Sequence, residues 1–180
     1  MQPADGEFDF SGNDIFPFES PVRARRLADP VAEPPRFGEA GRPCPECDAP
    51  DDEFVWVTDD WRLKVREPSP LRGVLLLSTR EHVDSFADLP DALAAEFGPL
   101  VARIERAILK LGGIGRVHVS RWGDGGAHFH VWFIPRPLGR QQLRGSLLPA
   151  WMLVLPNLPP EELTAAGRAV AAELAATGRS

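Results

Sequence analysis

The sequence predicts an α+β protein with a mostly antiparallel sheet, one long helix and a C-terminal helix. Short alternating runs sit in pairs, as in hairpins, and one segment near the middle carries helical spacing for about five turns. The content is that of a globular chain: 43% hydrophobic and 26% charged residues over 180 positions. Net charge is −6, which argues against a nucleic-acid-coating role. No apolar run approaches the roughly 20 residues that cross a bilayer. The start "MQPADGEFDF" is acidic and lacks the basic-then-apolar order of a secretory signal. A cytoplasmic location is expected, where two cysteines are reduced or metal-bound sooner than paired in a disulfide.

Residues 1–43 read as an irregular, proline-rich N-terminal arm, with Pro17, Pro21, Pro30, Pro34, Pro35 and Pro43. The aromatics Phe8, Phe10, Phe16 and Phe18 suit an arm lying along the domain or along a partner subunit. Residues 44–158 read as the main domain. There "EFVWVTDDWRLKVRE" forms a hairpin around Asp59-Asp60, and "GVLLLSTR" is a continuous apolar run of strand length. A helix follows: Asp91 lies near its start, and Leu93, Phe97, Leu100, Val101, Ile104, Ile108 and Leu111 recur at spacings of three and four. Pro99 should kink or split it, and Gly112-Gly113 should end it. "GRVHVSRW" is the next strand, and a Gly-rich turn at 123–126 leads into "HFHVWFIPRP". The Ala-rich tail at 159–180 is the last helix.

The segment "HFHVWFI" carries the first chemical signal. As a strand it puts His128, His130, Trp132 and Ile134 on one face and Phe129, Val131 and Phe133 on the other. The odd face is core; the even face has the composition of a working surface. Two satisfied core histidines are the plainer alternative. Pro135 is expected to end the strand. A second signal is "RPCPECDAP", where Cys44 and Cys47 form a Cys-x-x-Cys knuckle. It suits one Zn²⁺, a redox pair or two incidental thiols. For a zinc site the remaining ligands come from His82, His118, His128 and His130 or from carboxylates.

Taken in order, "LLLSTREHVDSFADL", a long helix, a strand, a Gly-rich turn and "HFHVWFIPRP" resemble the histidine-triad (HIT) superfamily, whose signature alternates three histidines with apolar residues. The resemblance spans roughly residues 44–137. It implies a zinc-containing branch related to galactose-1-phosphate uridylyltransferase, with Cys44, Cys47, His82 and His128 holding a structural zinc ion. It further implies that His130 is the nucleophile, forming a transient nucleotidyl-imidazole on a nucleotide-type ester, amide or anhydride. Donors for the phosphoryl charge would be main-chain N–H groups at Gly125 and Gly126, with His118 or Arg136. The sequence departs from the signature at its third position, where Trp132 replaces His. Indole has one N–H donor and no acid, so leaving-group protonation is lost there. The resemblance also implies a homodimer, in which Arg136, Arg140 and Arg144, in the segment that ends at Trp151, bind an anionic tail in the partner's pocket; a solvated charged loop is the plainer alternative. The alternatives are the same scaffold turned to another small-molecule reaction, or a silent zinc-stabilised nucleotide-binding module.

Overall fold

The computed structural model describes residues 7–8, 15–19, 22–23 and 26–177. Phe10 and residues 178–180 lie outside them. The elements run β1 (Glu7–Phe8), β2 (Val22–Arg23), α1 (Pro45–Asp48), β3 (Trp56–Val57), β4 (Trp61–Val65), β5 (Leu75–Thr79), α2 (Asp91–Leu109), β6 (Ile114–Ser120), β7 (His130–Pro137), α3 (Leu148–Met152) and α4 (Pro160–Thr177). β1 and β2 pair with each other; the other five strands form one sheet in the order β3-β4-β5-β7-β6, with every pair antiparallel. β7 therefore lies between β5 and β6, with hydrogen-bonded neighbours on both sides.

Side-chain alternation splits the sheet into two unlike faces. One face carries Trp61, Leu63, Leu75, Leu77, Val131 and Phe133, and Leu93, Leu100, Ile104 and Ile108 of α2 and Val170 and Leu174 of α4 pack into the same core. The opposite face carries Arg62, Lys64, Ser78, His130 and Trp132 in consecutive register. At its far end Ile134 joins a second apolar cluster with Leu71, Val74, Leu143 and Leu148.

Two sequence expectations are corrected. Pro99 does not split α2, which is continuous from Asp91 to Leu109. Pro99 lies on the exposed side of that helix, as does Ala95, whose carbonyl would have received the missing N–H and faces solvent instead of being stranded in the core. Pro135 does not end β7 either. The β5 pairing stops at Phe133, while pairing to β6 continues through Pro135 to Pro137. On the side β5 has vacated, a residue without an N–H breaks no ladder bond. The helix stop is as expected, with Gly112 at φ +74° and Gly113 at φ +66°.

Among the described residues the arm touches the domain at several points, Arg36 among them through Asp84 and the Gly123 carbonyl. Trp151 donates Nε1–H to the Ile15 carbonyl at 2.7 Å. Phe37 pairs with the Gly-rich turn: its N–H reaches Gly125 O at 3.2 Å and its carbonyl accepts from Ala127 N at 2.8 Å.

Candidate metal centre and nucleophile

Four side chains from three separate segments converge beside the sheet. Cys44 caps α1 and Cys47 lies within it, His82 follows β5, and His128 precedes β7. Their donor atoms all lie within 4.8 Å of one another. Cys44 Sγ is 3.3 Å from His128 Nδ1, Cys47 Sγ is 3.3 Å from His82 Nδ1, and Cys47 Sγ is 3.4 Å from His128 Nδ1. A tetrahedron with Zn–S near 2.3 Å and Zn–N near 2.05 Å has S–N edges of about 3.5 Å, so the donor set fits zinc in kind and spacing.

Surrounding groups aim these donors. His128 is 2% exposed, and its Nε2–H donates to the Thr79 carbonyl at 2.8 Å. That bond leaves the Nδ1 lone pair turned toward both sulfurs, as a metal-bound imidazole requires. Burial pushes the His128 pKa down, only partly opposed by the Thr79 bond, so the ring is held neutral. Without a cation, burial first and the adjacent Cys44 thiol second push Cys47 up to about 11; a bound metal would reverse that. Gly38 closes the outer side: a Cβ there would lie 2.8 Å from His82 Cε1 and 3.6 Å from Cys44 Sγ.

His130 is built differently. Its Nδ1–H donates to the His128 carbonyl at 2.7 Å, which fixes the tautomer and leaves Nε2 with a free lone pair. Among the described residues no group bonds Nε2. Ser78 is its neighbour on β5. Ser78 donates its hydroxyl to Glu46 Oε2 at 3.2 Å, and Lys64 donates to the other oxygen of that carboxylate. Glu46 belongs to the cysteine knuckle, so the metal set and the His130 face share one carboxylate.

Trp132 follows on the same face. Its indole meets the Trp122 ring at 5.9 Å and 65°, and the Arg66 guanidinium stands 5.6 Å from its centroid. The remaining expected residues divide. Gly125 and Gly126 lie in the turn that leads to His128, held by Phe37 and by Arg36, which donates Nη1–H to Gly123 O at 2.8 Å. His118 stands opposite Ile134, four residues or about 13 Å along β7 from His130. Arg136 is six residues away, about 20 Å, and bonds the Pro137 and Arg140 carbonyls. Within this chain, neither His118 nor Arg136 is brought to His130.

Sequence reasoning missed Arg66, Trp122, Lys64, Ser78 and Glu46. The alternation of Arg62, Lys64 and Arg66 in "WRLKVR" was a usable signal, but nothing in it shows which strand lies alongside.

No family model matches the chain, and no curated protein matches its sequence. Solved structures do match. A zinc-bound histidine triad family protein from Mycobacterium smegmatis is similar over 75% of this chain and 95% of its own, at 20% identity and TM-score 0.55. The chain has the histidine-triad fold. A hypothetical histidine triad nucleotide-binding protein from Sulfolobus tokodaii matches 71% of this chain and 86% of its own, at 16% identity and TM-score 0.54. The diadenosine triphosphate hydrolase of Plasmodium falciparum matches 72% of this chain and 80% of its own, at 14% identity and TM-score 0.52. At such identities the shared property is the histidine-triad fold, which on this chain sets His130 on the open sheet face beside a knuckle of metal-ligating type.

Proposed function

We propose that the protein is a nucleotidyl hydrolase or transferase that works through a covalent intermediate on His130. The observation that carries this reading is the 2.7 Å bond from His130 Nδ1 to the His128 carbonyl. A neutral imidazole with its proton fixed at Nδ1 presents Nε2 as a nucleophile. Attack on the α-phosphorus of a nucleotide gives a nucleotidyl-imidazolium that keeps the Nδ1 proton. The cationic ring is then a good leaving group when water or an acceptor attacks phosphorus. The developing charge needs donors preorganised around it. Gly126 is suited: a trans peptide directs its N–H opposite to the Gly125 carbonyl, hence away from Phe37, and Gly125 beside it has open space where a Cβ would be.

Cys44, Cys47, His82 and His128 would hold a zinc ion whose role is structural, since four protein ligands leave it no open position. It would tie the knuckle, and with it Glu46, to the loop that ends in His130. The nucleotide-type substrate is supported by the nucleotide-linked names of two proteins of like fold. The two-cysteine, two-histidine donor set favours the branch related to galactose-1-phosphate uridylyltransferase. The assembly would be a homodimer; light scattering near twice 19.8 kDa tests it.

The deciding experiment incubates the protein with radiolabelled 4-nitrophenyl esters of AMP and UMP. An acid-labile adduct should form and should be absent in His130→Ala. An adduct of equal yield in that variant, or none with either ester, would overturn the reading.

A further inference from the structure

We propose that Trp132 makes the enzyme selective for leaving groups that depart as anions, phosphate anhydrides above all, and that Arg66 receives their charge. This rests on the His130 reading above.

Two residues along a strand are about 6.7 Å apart, so Trp132 is the next side chain beyond His130 on the reacting face. Its N–H can donate a hydrogen bond but cannot give up its proton. The side chains beside it supply no replacement acid. Leu76 and Ser120 are its neighbours across the two flanking strands. Ser78, beside His130, has its hydroxyl committed to Glu46, and Glu46 accepts from both Ser78 and Lys64. Of the other histidines, His82 and His128 belong to the cysteine–histidine set, and His118, the next side chain on this face beyond Trp132, has its Nε2 buried from solvent.

That inventory decides which bonds can break. An amine or alkoxide leaves phosphorus only if it takes a proton as it goes, and a positioned acid contributes roughly 10²–10⁴-fold to such a step. A phosphate, with a second pKa near 6, leaves as an anion and needs only a cation nearby. Arg66 supplies one: it is exposed, and its guanidinium is 5.6 Å from the Trp132 ring centroid. Trp122, 42% exposed, lines the same indole with a second apolar surface rather than with a proton donor.

The step balances without an acid. The Nε2 pair forms the N–P bond as the bond from phosphorus to the bridging oxygen breaks, and that electron pair stays on the departing phosphate. The proton stays on Nδ1, donated to the His128 carbonyl. Water then attacks phosphorus, the N–P pair returns to Nε2, and the water's displaced proton passes to solvent.

The test compares three adenylyl and three uridylyl substrates that differ only in leaving group: a pyrophosphate anhydride, a 4-nitrophenyl ester and an N-alkyl phosphoramidate. The wild-type protein should cleave the first two with kcat/KM at least about 100-fold above the third. Trp132→His should raise phosphoramidate cleavage about 100-fold, and Arg66→Gln should slow the anhydride about 10-fold and the nitrophenyl ester less, because the nitrophenolate spreads its charge over its own ring. Phosphoramidate cleavage by the wild type as fast as anhydride cleavage would overturn the selectivity and leave the His130 reading intact. No His130-dependent cleavage of the nitrophenyl ester, the substrate that asks least of the protein, would overturn both.

Discussion

Gly38 has φ +88°, and its missing side chain makes room for the edge of His82. Beside it Arg36 joins three loops: it bonds Glu39 of its own turn at 3.1 Å, Asp84 beyond His82 at 3.1 Å, and the Gly123 carbonyl ahead of His128. Both residues brace the cysteine–histidine set from outside. Replacing Gly38 by Ala forces His82 to move and strains the turn, so zinc affinity should fall about 10–100-fold, read by competition with a chromophoric chelator; unchanged affinity would show that the turn only covers the site. Acid should loosen this turn too. Arg36 holds the Glu39 carboxyl below its ordinary value through its side-chain bond. Because the folded value is depressed, the contribution is present above about pH 4.5 and disappears as pH falls through the folded pKa, which proteolysis near Arg36 followed against pH would report. Cysteines and histidines could be picked out of the sequence because few other residues do their chemistry. Gly38 and Arg36 could not, because their importance lies in contacts with residues 44 and 48 positions away.

At the scale of elements, apolar spacing carried most of the information. The period of three and four placed α2 with its glycine stop, and the period of two separated His130, Trp132 and Ile134 from Val131 and Phe133, although the strand begins at His130 and leaves His128 in the loop before it. What spacing left out was context: whether Pro99 faced water, whether a neighbouring strand still flanked Pro135, and which strand brought Arg66 to Trp132. The seat of α4 was equally hidden. Gly167 is buried within that helix, and a Cβ there would lie 2.2 Å from Val65 Cγ2 of β4. A sequence reader sees a helix-weakening residue; the structure needs it for close approach. Gly167→Ala should therefore destabilise by about 1–3 kcal/mol despite its better helix propensity, seen as a lowered urea midpoint. Combining it with Val65→Ala should recover part of the loss, and additive losses would refute the contact.

Across the whole molecule, the cysteine–histidine set brings the knuckle, which lies outside the sheet, onto the ends of the paired strands β5 and β7. The knuckle has no buried residue of its own. It is held by that set, by Arg62, which donates to the Glu46 and Ala49 carbonyls, and by Glu46 on Lys64 and Ser78. The core beneath is independent of it, with Trp61, Leu77, Ile104, Phe129 and Phe133 all fully buried. Removing zinc should therefore free the knuckle without unfolding the sheet. At free zinc 100-fold above its dissociation constant, the ion adds about 2.7 kcal/mol of stability. A chain of this size shifts its melting point by about 2–4 °C per kcal/mol, so chelation should lower Tm by about 5–11 °C while far-ultraviolet dichroism at 25 °C stays nearly constant. Both cysteines should become reactive to a thiol reagent at the same time. Adduct formation on His130 should fall with them, because Glu46 leaves Ser78 and the segment carrying both histidines loses its anchor. If chelation instead abolished the dichroism, the metal would be part of the core; if it left Tm and thiol reactivity unchanged, the four side chains would be packed together without an ion.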